Sequence, residues 1–188
     1  MSPSISQLRK FVSPEIIFGA GSRHNAGNYA KTFGARKVLV VTDPGVIAAG
    51  WVADIEASLR ALDIEYCLYS DVSPNPRVEE VMRGAELYRE NHCDVIIAVG
   101  GGSPMDCGKA IGIVVAHGRS ILEFEGVDMI RVPSPPLILI PTTAGTSADV
   151  SQFVIISNQQ ERMKFSIVSK AVVPDVSLID PETTLSMD

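Results

Sequence analysis

The chain has 188 residues, enough for one domain with a well-buried core or one domain with a short extension. Hydrophobic residues make up 46% and charged residues 20%, which sets it among globular proteins and apart from disordered or collagen-like chains. The net charge of −6, with no cluster of Lys or Arg, argues against nucleic acid or an anionic membrane as a partner. The longest apolar run, 111–116, is too short to span a bilayer, and residues 1–10 lack the apolar centre of a secretory signal, so a cytoplasmic protein is expected.

In chain order, residues 15–18 read as a lone strand followed by the flexible Gly19-Ala20-Gly21. Such a strand cannot bury itself and is expected to pair with another sheet or another subunit. Residues 37–42 form a buried strand that ends at Asp43-Pro44-Gly45. Residues 52–62 carry Ile55, Leu59 and Leu62 at helical spacing. A second strand, 64–69, leads into the loop Val72-Ser-Pro-Asn-Pro76. A helix over 77–91 follows, with Val78, Val81, Met82, Ala85 and Tyr88 on one side. A third strand, 94–99, runs into Gly100-Gly101-Gly102-Ser103-Pro104, and a helix resumes over 105–116. The stiff Val132-Pro-Ser-Pro-Pro136 precedes a strand over 137–140. Residues 153–156 and 164–168 read as a hairpin, and 176–179 as a last strand before Asp180-Pro181.

Strands apolar on both faces, alternating with helices, predict an α/β fold: a Rossmann-like parallel sheet flanked by helices, with an N-terminal strand and a β-hairpin near the C-terminal end. One domain over residues 1–188 is expected, with ligands beyond the carboxyl ends of the strands.

Three segments carry the chemistry. In Val95-Ile-Ile-Ala-Val-Gly-Gly-Gly-Ser-Pro-Met-Asp-Cys-Gly-Lys109 a buried strand opens through Gly100, Gly101, Gly102 and Ser103 into a helix. Glycines let the main chain approach an anion, and the helix start supplies unpaired N–H groups and a positive dipole end, as a dinucleotide pyrophosphate requires. A tight turn that demands small residues is the plainer reading. Asp106, expected in the first turn of that helix, either compensates its dipole, fixes the loop or touches a ribose. Asp43, at the tip of its strand, is either a ribose-binding carboxylate that would repel a 2′-phosphate or an Asx-type turn residue. The third segment, Pro141-Thr-Thr-Ala-Gly-Thr-Ser-Ala-Asp149, offers the hydroxyls of Thr142, Thr143, Thr146 and Ser147. Cys67, Cys93 and Cys107 lack CxxC spacing, and His24, His92 and His117 are scattered, so neither a disulfide framework nor a histidine metal site is expected.

Together, 99–109 and 141–150, with Thr42-Asp-Pro-Gly45, Pro74-Asn-Pro76, Lys164 and Asp180-Pro-Glu-Thr183, closely resemble the group III, iron-containing alcohol dehydrogenase family. The resemblance runs from Glu15 onward. It implies a nucleotide-binding α/β domain followed by an all-helical metal domain. It implies further that Asp43 holds the adenosine ribose, that Asn75 lies on the adenine side, and that Gly101, Gly102 and Ser103 hold the pyrophosphate. Thr142, Thr143 and Ser147 would line the nicotinamide side, with Lys164 near the ribose. Family members carry a short polar residue where this chain has Phe153. Their first metal ligands, an Asp and a His on one helix, fall beyond the segment that matches 180–182, and Asp188 is too early to be one of them.

The resemblance thus implies NAD, with NADP less favoured, as cofactor, and iron(II) or another divalent metal in the full-length enzyme only. A primary alcohol or aldehyde would be the substrate, and a homodimer or higher oligomer the assembly. No catalytic or metal-binding residue is expected in this chain, which alone should lack turnover. The alternatives are a glycerol-type dehydrogenase or dehydroquinate-synthase-like domain, and a stand-alone nucleotide-binding module.

Overall fold

The computed structural model describes residues 12–185; the readings of residues 1–10 and of Asp188 lie outside them. β1 (Glu15–Phe18) opens the chain, and a short turn leads into α1 (Ala26–Thr32). Then come β2 (Lys37–Val41), α2 (Pro44–Ala48), α3 (Trp51–Arg60), β3 (Glu65–Tyr69), α4 (Val78–Glu90), β4 (Val95–Gly100) and α5 (Gly102–His117). The remaining elements are β5 (Gly126–Val127), β6 (Leu137–Pro141), β7 (Phe153–Asn158), β8 (Met163–Val168) and β9 (Val176–Ile179).

Six strands form one sheet in the order β1-β9-β6-β4-β2-β3, with every pair parallel. The side chains alternate between two cores. Leu39, Val41, Ile96, Ala98, Leu137 and Leu139 face α4, α5 and the hairpin of β7 and β8. Val38, Val40, Ile97, Val99, Ile138 and Ile140 face α1 and α3. This period-two division is what a parallel sheet covered on both sides requires, and it confirms the predicted fold class.

One expectation is corrected, and the hairpin, which forms as expected, is extended. β1 pairs with β9 in the main sheet, Glu15 opposite Val176 through Phe18 opposite Ile179, so neither a second sheet nor another subunit is needed to satisfy it. The hairpin is joined by β5, parallel to β8, into a three-stranded sheet. Arg23 secures the end of the β1–β9 pair. Its buried guanidinium meets Asp54 at 2.7 Å, Asp180 at 2.6 Å and Glu182 at 2.6 Å, and lies over the Trp51 ring.

The chain passes from β2 outward to β3 and then returns to β4 on the other side of β2. Neighbouring connections therefore leave in opposite directions at the β2/β4 boundary. Such a boundary opens a crevice at the carboxyl ends of its strands.

Candidate nucleotide-binding cleft

A cleft of about 540 Å³ occupies that crevice. On one side stands the segment after β2, where Asp43 caps α2 by accepting a hydrogen bond from the Val46 N–H at 3.0 Å, with Pro44 in the first helical turn. Instead of the Asx-type turn foreseen, Asp43 is a helix N-cap that bonds the N–H three residues on. That bond engages one carboxylate oxygen, and Asp43 still lines the cleft. On the other side is the start of α5, whose N-cap, Gly101, provides no side-chain cap. The first N–H groups of this 16-residue helix open onto the cleft wall formed by Gly101, Gly102 and Ser103.

The lack of side chains here follows from packing. Gly100 has φ +148°, and a Cβ on it would lie 2.6 Å from the Pro104 ring. A Cβ on Gly101 would meet Thr143 Cγ2 at 3.1 Å, and one on Gly102 would meet Thr146 Cγ2 at 2.9 Å. The loop after β6 is thus laid directly against the glycine backbone, tied at its base by Thr142 N–H donating to Gly100 O at 2.9 Å. Of the three, only Gly100 has a positive φ. At the other two, a side chain would press on Thr143 or collide with Thr146.

Among the described residues that line the cleft, Asp43 is the only ionisable side chain and none is a cation. The main-chain N–H groups and dipole at the start of α5 are what this wall offers an anion. Ser73 Oγ, in the same wall, is buried with no partner among the described residues. A hydroxyl left so is costly unless a bound group completes it.

Gly102 and Ser103 also border a second cavity of about 250 Å³, shared with Asn75, Asp106, Phe153 and Lys164. Asn75, held at φ +61°, donates its N–H to Ser103 Oγ at 3.1 Å, and its side-chain oxygen accepts from Lys164 Nζ at 2.6 Å. Asn75, expected on the adenine side, and Lys164, expected near the ribose, are thus in direct contact, and Asn75 does not line the Asp43 cleft. Buried Glu80 anchors this turn through the Arg77 N–H at 3.0 Å. Thr142 and Thr143 line the main cleft. Ser147, at φ +52°, lines instead an adjoining cavity of about 320 Å³ beside Pro141 and Asp180, with Thr143 between the two.

α5 begins three residues before the sequence suggested, so Asp106 lies in its second turn and faces the hairpin. Its Oδ2 accepts the Ile155 N–H of edge strand β7 at 3.2 Å. Burial pushes its carboxyl up to about 6, against the opposing charge of Lys109. Lys109, which the sequence reading did not single out, is almost fully buried. It donates to Ser151 O at 2.8 Å and Phe153 O at 3.2 Å, and burial lowers its ammonium to about 8. The signal was present: an Asp and a Lys three apart inside an otherwise apolar helix. Phe153, half exposed, closes one wall of the second cavity.

Residues 13–181 match the model of the iron-containing alcohol dehydrogenases. The chain belongs to that family. Choline dehydrogenase of Bacillus subtilis (strain 168) is 38% identical over 98% of this chain and 47% of its own length. Among solved structures, a 1,3-propanediol oxidoreductase superposes with a TM-score of 0.93 at 34% identity, over 96% of this chain and 48% of that one. A sulfoacetaldehyde reductase from Bifidobacterium kashiwanohense, solved in complex with NAD+, superposes with a TM-score of 0.86 at 33% identity, over the same shares. The chain therefore spans about half the length of the relatives it matches. Among the described residues, no three His, Cys, Asp or Glu side chains are grouped to hold a metal, and no helix is long and apolar enough to cross a membrane.

The raised Asp106 carboxyl has a thermodynamic consequence. Its ordinary value is 3.8 and its folded value about 6. Between the two the folded state binds the extra proton, so this contribution to stability is full below about pH 4, falls as pH rises through about 6, and is level above. Asp106→Asn, which keeps an acceptor for Ile155, should therefore gain on the parent chain by about 2–3 kcal/mol between about pH 4 and pH 7. Urea unfolding of both proteins across that range reads the difference. A constant difference would mean that Asp106 titrates as an ordinary surface carboxylate.

Proposed function

We propose that the cleft between Asp43 and Ser103 binds NAD, and that the chain is the nucleotide-binding part of an iron-dependent alcohol dehydrogenase interconverting a primary alcohol and its aldehyde. The observation that carries this reading is the uncapped start of α5, set beside glycines packed tightly against Pro104, Thr143 and Thr146, at the sheet's switch point. Bound NAD supplies the carbon that accepts or returns the hydride.

The chain's own residues position that cofactor. The N–H groups of Gly102 and Ser103 receive the pyrophosphate. The Asp43 oxygen not used in capping takes the adenosine ribose hydroxyls, and its fixed charge opposes the 2′-phosphate of NADP. Val46, Ala49 and Trp51, which line the cleft around Asp43, offer the base an apolar surface. Asn75 and Lys164 form a polar pair on the far side of Ser103 and take the nicotinamide half, with Thr142 and Thr143 between. Ser147 contributes from the adjoining cavity.

The described residues do not fit a divalent metal. Iron therefore belongs, in this reading, to the part of the enzyme that its longer relatives possess outside the matched half. The substrate-facing wall belongs there too. Among the described residues none are grouped to hold a Lewis acid for the alcohol's oxygen, so in this reading the 188-residue chain alone does not turn over.

Asp43→Gly should weaken NAD binding by about 1–3 kcal/mol, the scale of hydrogen bonds lost from a charged group, and narrow the preference for NAD over NADP. Calorimetric titration with both cofactors measures this. An unchanged affinity and an unchanged ratio would remove Asp43 from the site. Independently, anaerobic assay of the 188-residue protein with a primary alcohol, NAD and iron(II) should give no more NADH than a protein-free blank; steady turnover would overturn the assignment of the metal elsewhere.

A further inference from the structure

We infer that Cys67 and Cys93 form a thiol-oxidation site, which closes to a disulfide when a low-molecular-weight disulfide reaches Cys67. The two sulfurs lie 3.3 Å apart, though 26 residues separate them in sequence. A disulfide needs about 2.05 Å between sulfurs, so the gap to close is on the order of 1 Å, within the range of side-chain rotation.

Both backbones are anchored, so the approach does not depend on a mobile loop. Cys67 stands opposite Leu39 in the β2–β3 ladder, on β3, the edge strand of the main sheet. Cys93 follows α4 in a Schellman turn: His92, at φ +55°, donates its N–H to Arg89 O, and Cys93 donates its own to Tyr88 O at 3.0 Å. Cys67 is partly exposed, whereas Cys93 is buried against the core. The third thiol, Cys107, is wholly buried, and burial pushes it up, away from the reactive thiolate.

The roles within the pair differ. The hydrogen bond from Cys93, helped by the charge of Lys37, holds the Cys67 thiol below its ordinary value, while that bond and burial push Cys93 up. Cys67 is therefore the nucleophile and Cys93 the resolving thiol. The Cys67 thiolate attacks the incoming disulfide RSSR, forming Cys67–S–SR and releasing RS⁻. Cys93 then gives up its proton and attacks the Cys67 sulfur, expelling the second RS group as RSH. One RSSR is reduced to RS⁻ and RSH while one protein disulfide forms. The bond joins β3 to the turn that ends α4, the two arms of the segment carrying Asn75.

Oxidised glutathione is the probe, applied to the native 188-residue protein, with alkylation and peptide mapping as readout. The expected product is a Cys67–Cys93 cross-link, with a mass lower by two hydrogens and no retained glutathione, reversed by dithiothreitol. Cys107 stays reduced. Cys93→Ser should instead accumulate glutathione on Cys67, and Cys67→Ser should show neither product. The inference is overturned if the parent protein keeps a stable glutathione adduct on Cys67, if both cysteines remain alkylatable after oxidant, or if the cross-link involves Cys107. Mapping of the parent protein decides the matter even should a variant fail to fold.

Discussion

The architecture of the cleft depends on one steric constraint: a Cβ at Gly100 or Gly102 would collide with Pro104 or Thr146, and one at Gly101 would press on Thr143. The loops that leave β4 and β6 are adjacent because their strands are paired, Gly100 opposite Pro141. With threonines packed on one loop, bare backbone suits the other. The N-cap, Gly101, has no side chain of its own, so the start of α5 is left without a side-chain cap. The same absence that lets the loops touch leaves the helix's first N–H groups and its dipole directed at the crevice.

α5 is also the link between the cleft and the hairpin. Asp106, from its second turn, and Lys109, from the next, reach main-chain groups of the segment that becomes β7. They hold in place the sheet that carries Lys164 and Phe153. Burying two ionisable groups is costly, and both shifts run toward the neutral forms, Asp106 upward and Lys109 downward. Their mutual attraction and the main-chain hydrogen bonds offset part of that cost. The hairpin's position is thereby tied to the helix that frames the cleft, rather than to its own small core.

Most of the sheet was legible because buried parallel strands leave nearly continuous apolar runs, as in β2, β4 and β6. α4 was legible from its apolar spacing. α1 and α2 were not: Ala26–Thr32 is short and contains Gly27 and Asn28, and Pro44-Gly45 resembles a turn until Asp43 is seen capping the helix it begins. The start of α5 was set too late because Gly102, Ser103 and Pro104 are breakers in mid-helix, yet acceptable in a first turn whose N–H groups have no partners anyway. Asp43, the glycine triplet and the threonine loop could be recognised as polar or bare segments after strands. What joins them could not. The Lys164–Asn75 bond spans 89 positions, the Arg23–Asp180 pair 157, and the Cys67–Cys93 contact 26, and nothing local in the sequence encodes such distances.

The central claim is that bare backbone at the start of α5 is the anion-binding surface, and amide-resolved NMR during titration with NAD tests it most directly. The account predicts saturable shifts of the Gly101, Gly102 and Ser103 N–H resonances, moving together with those of Asp43 and Val46 across the cleft. It would be contradicted if NAD bound while those amides stayed still and the shifts fell instead on residues around the separate cavity at Arg131 and Ser134.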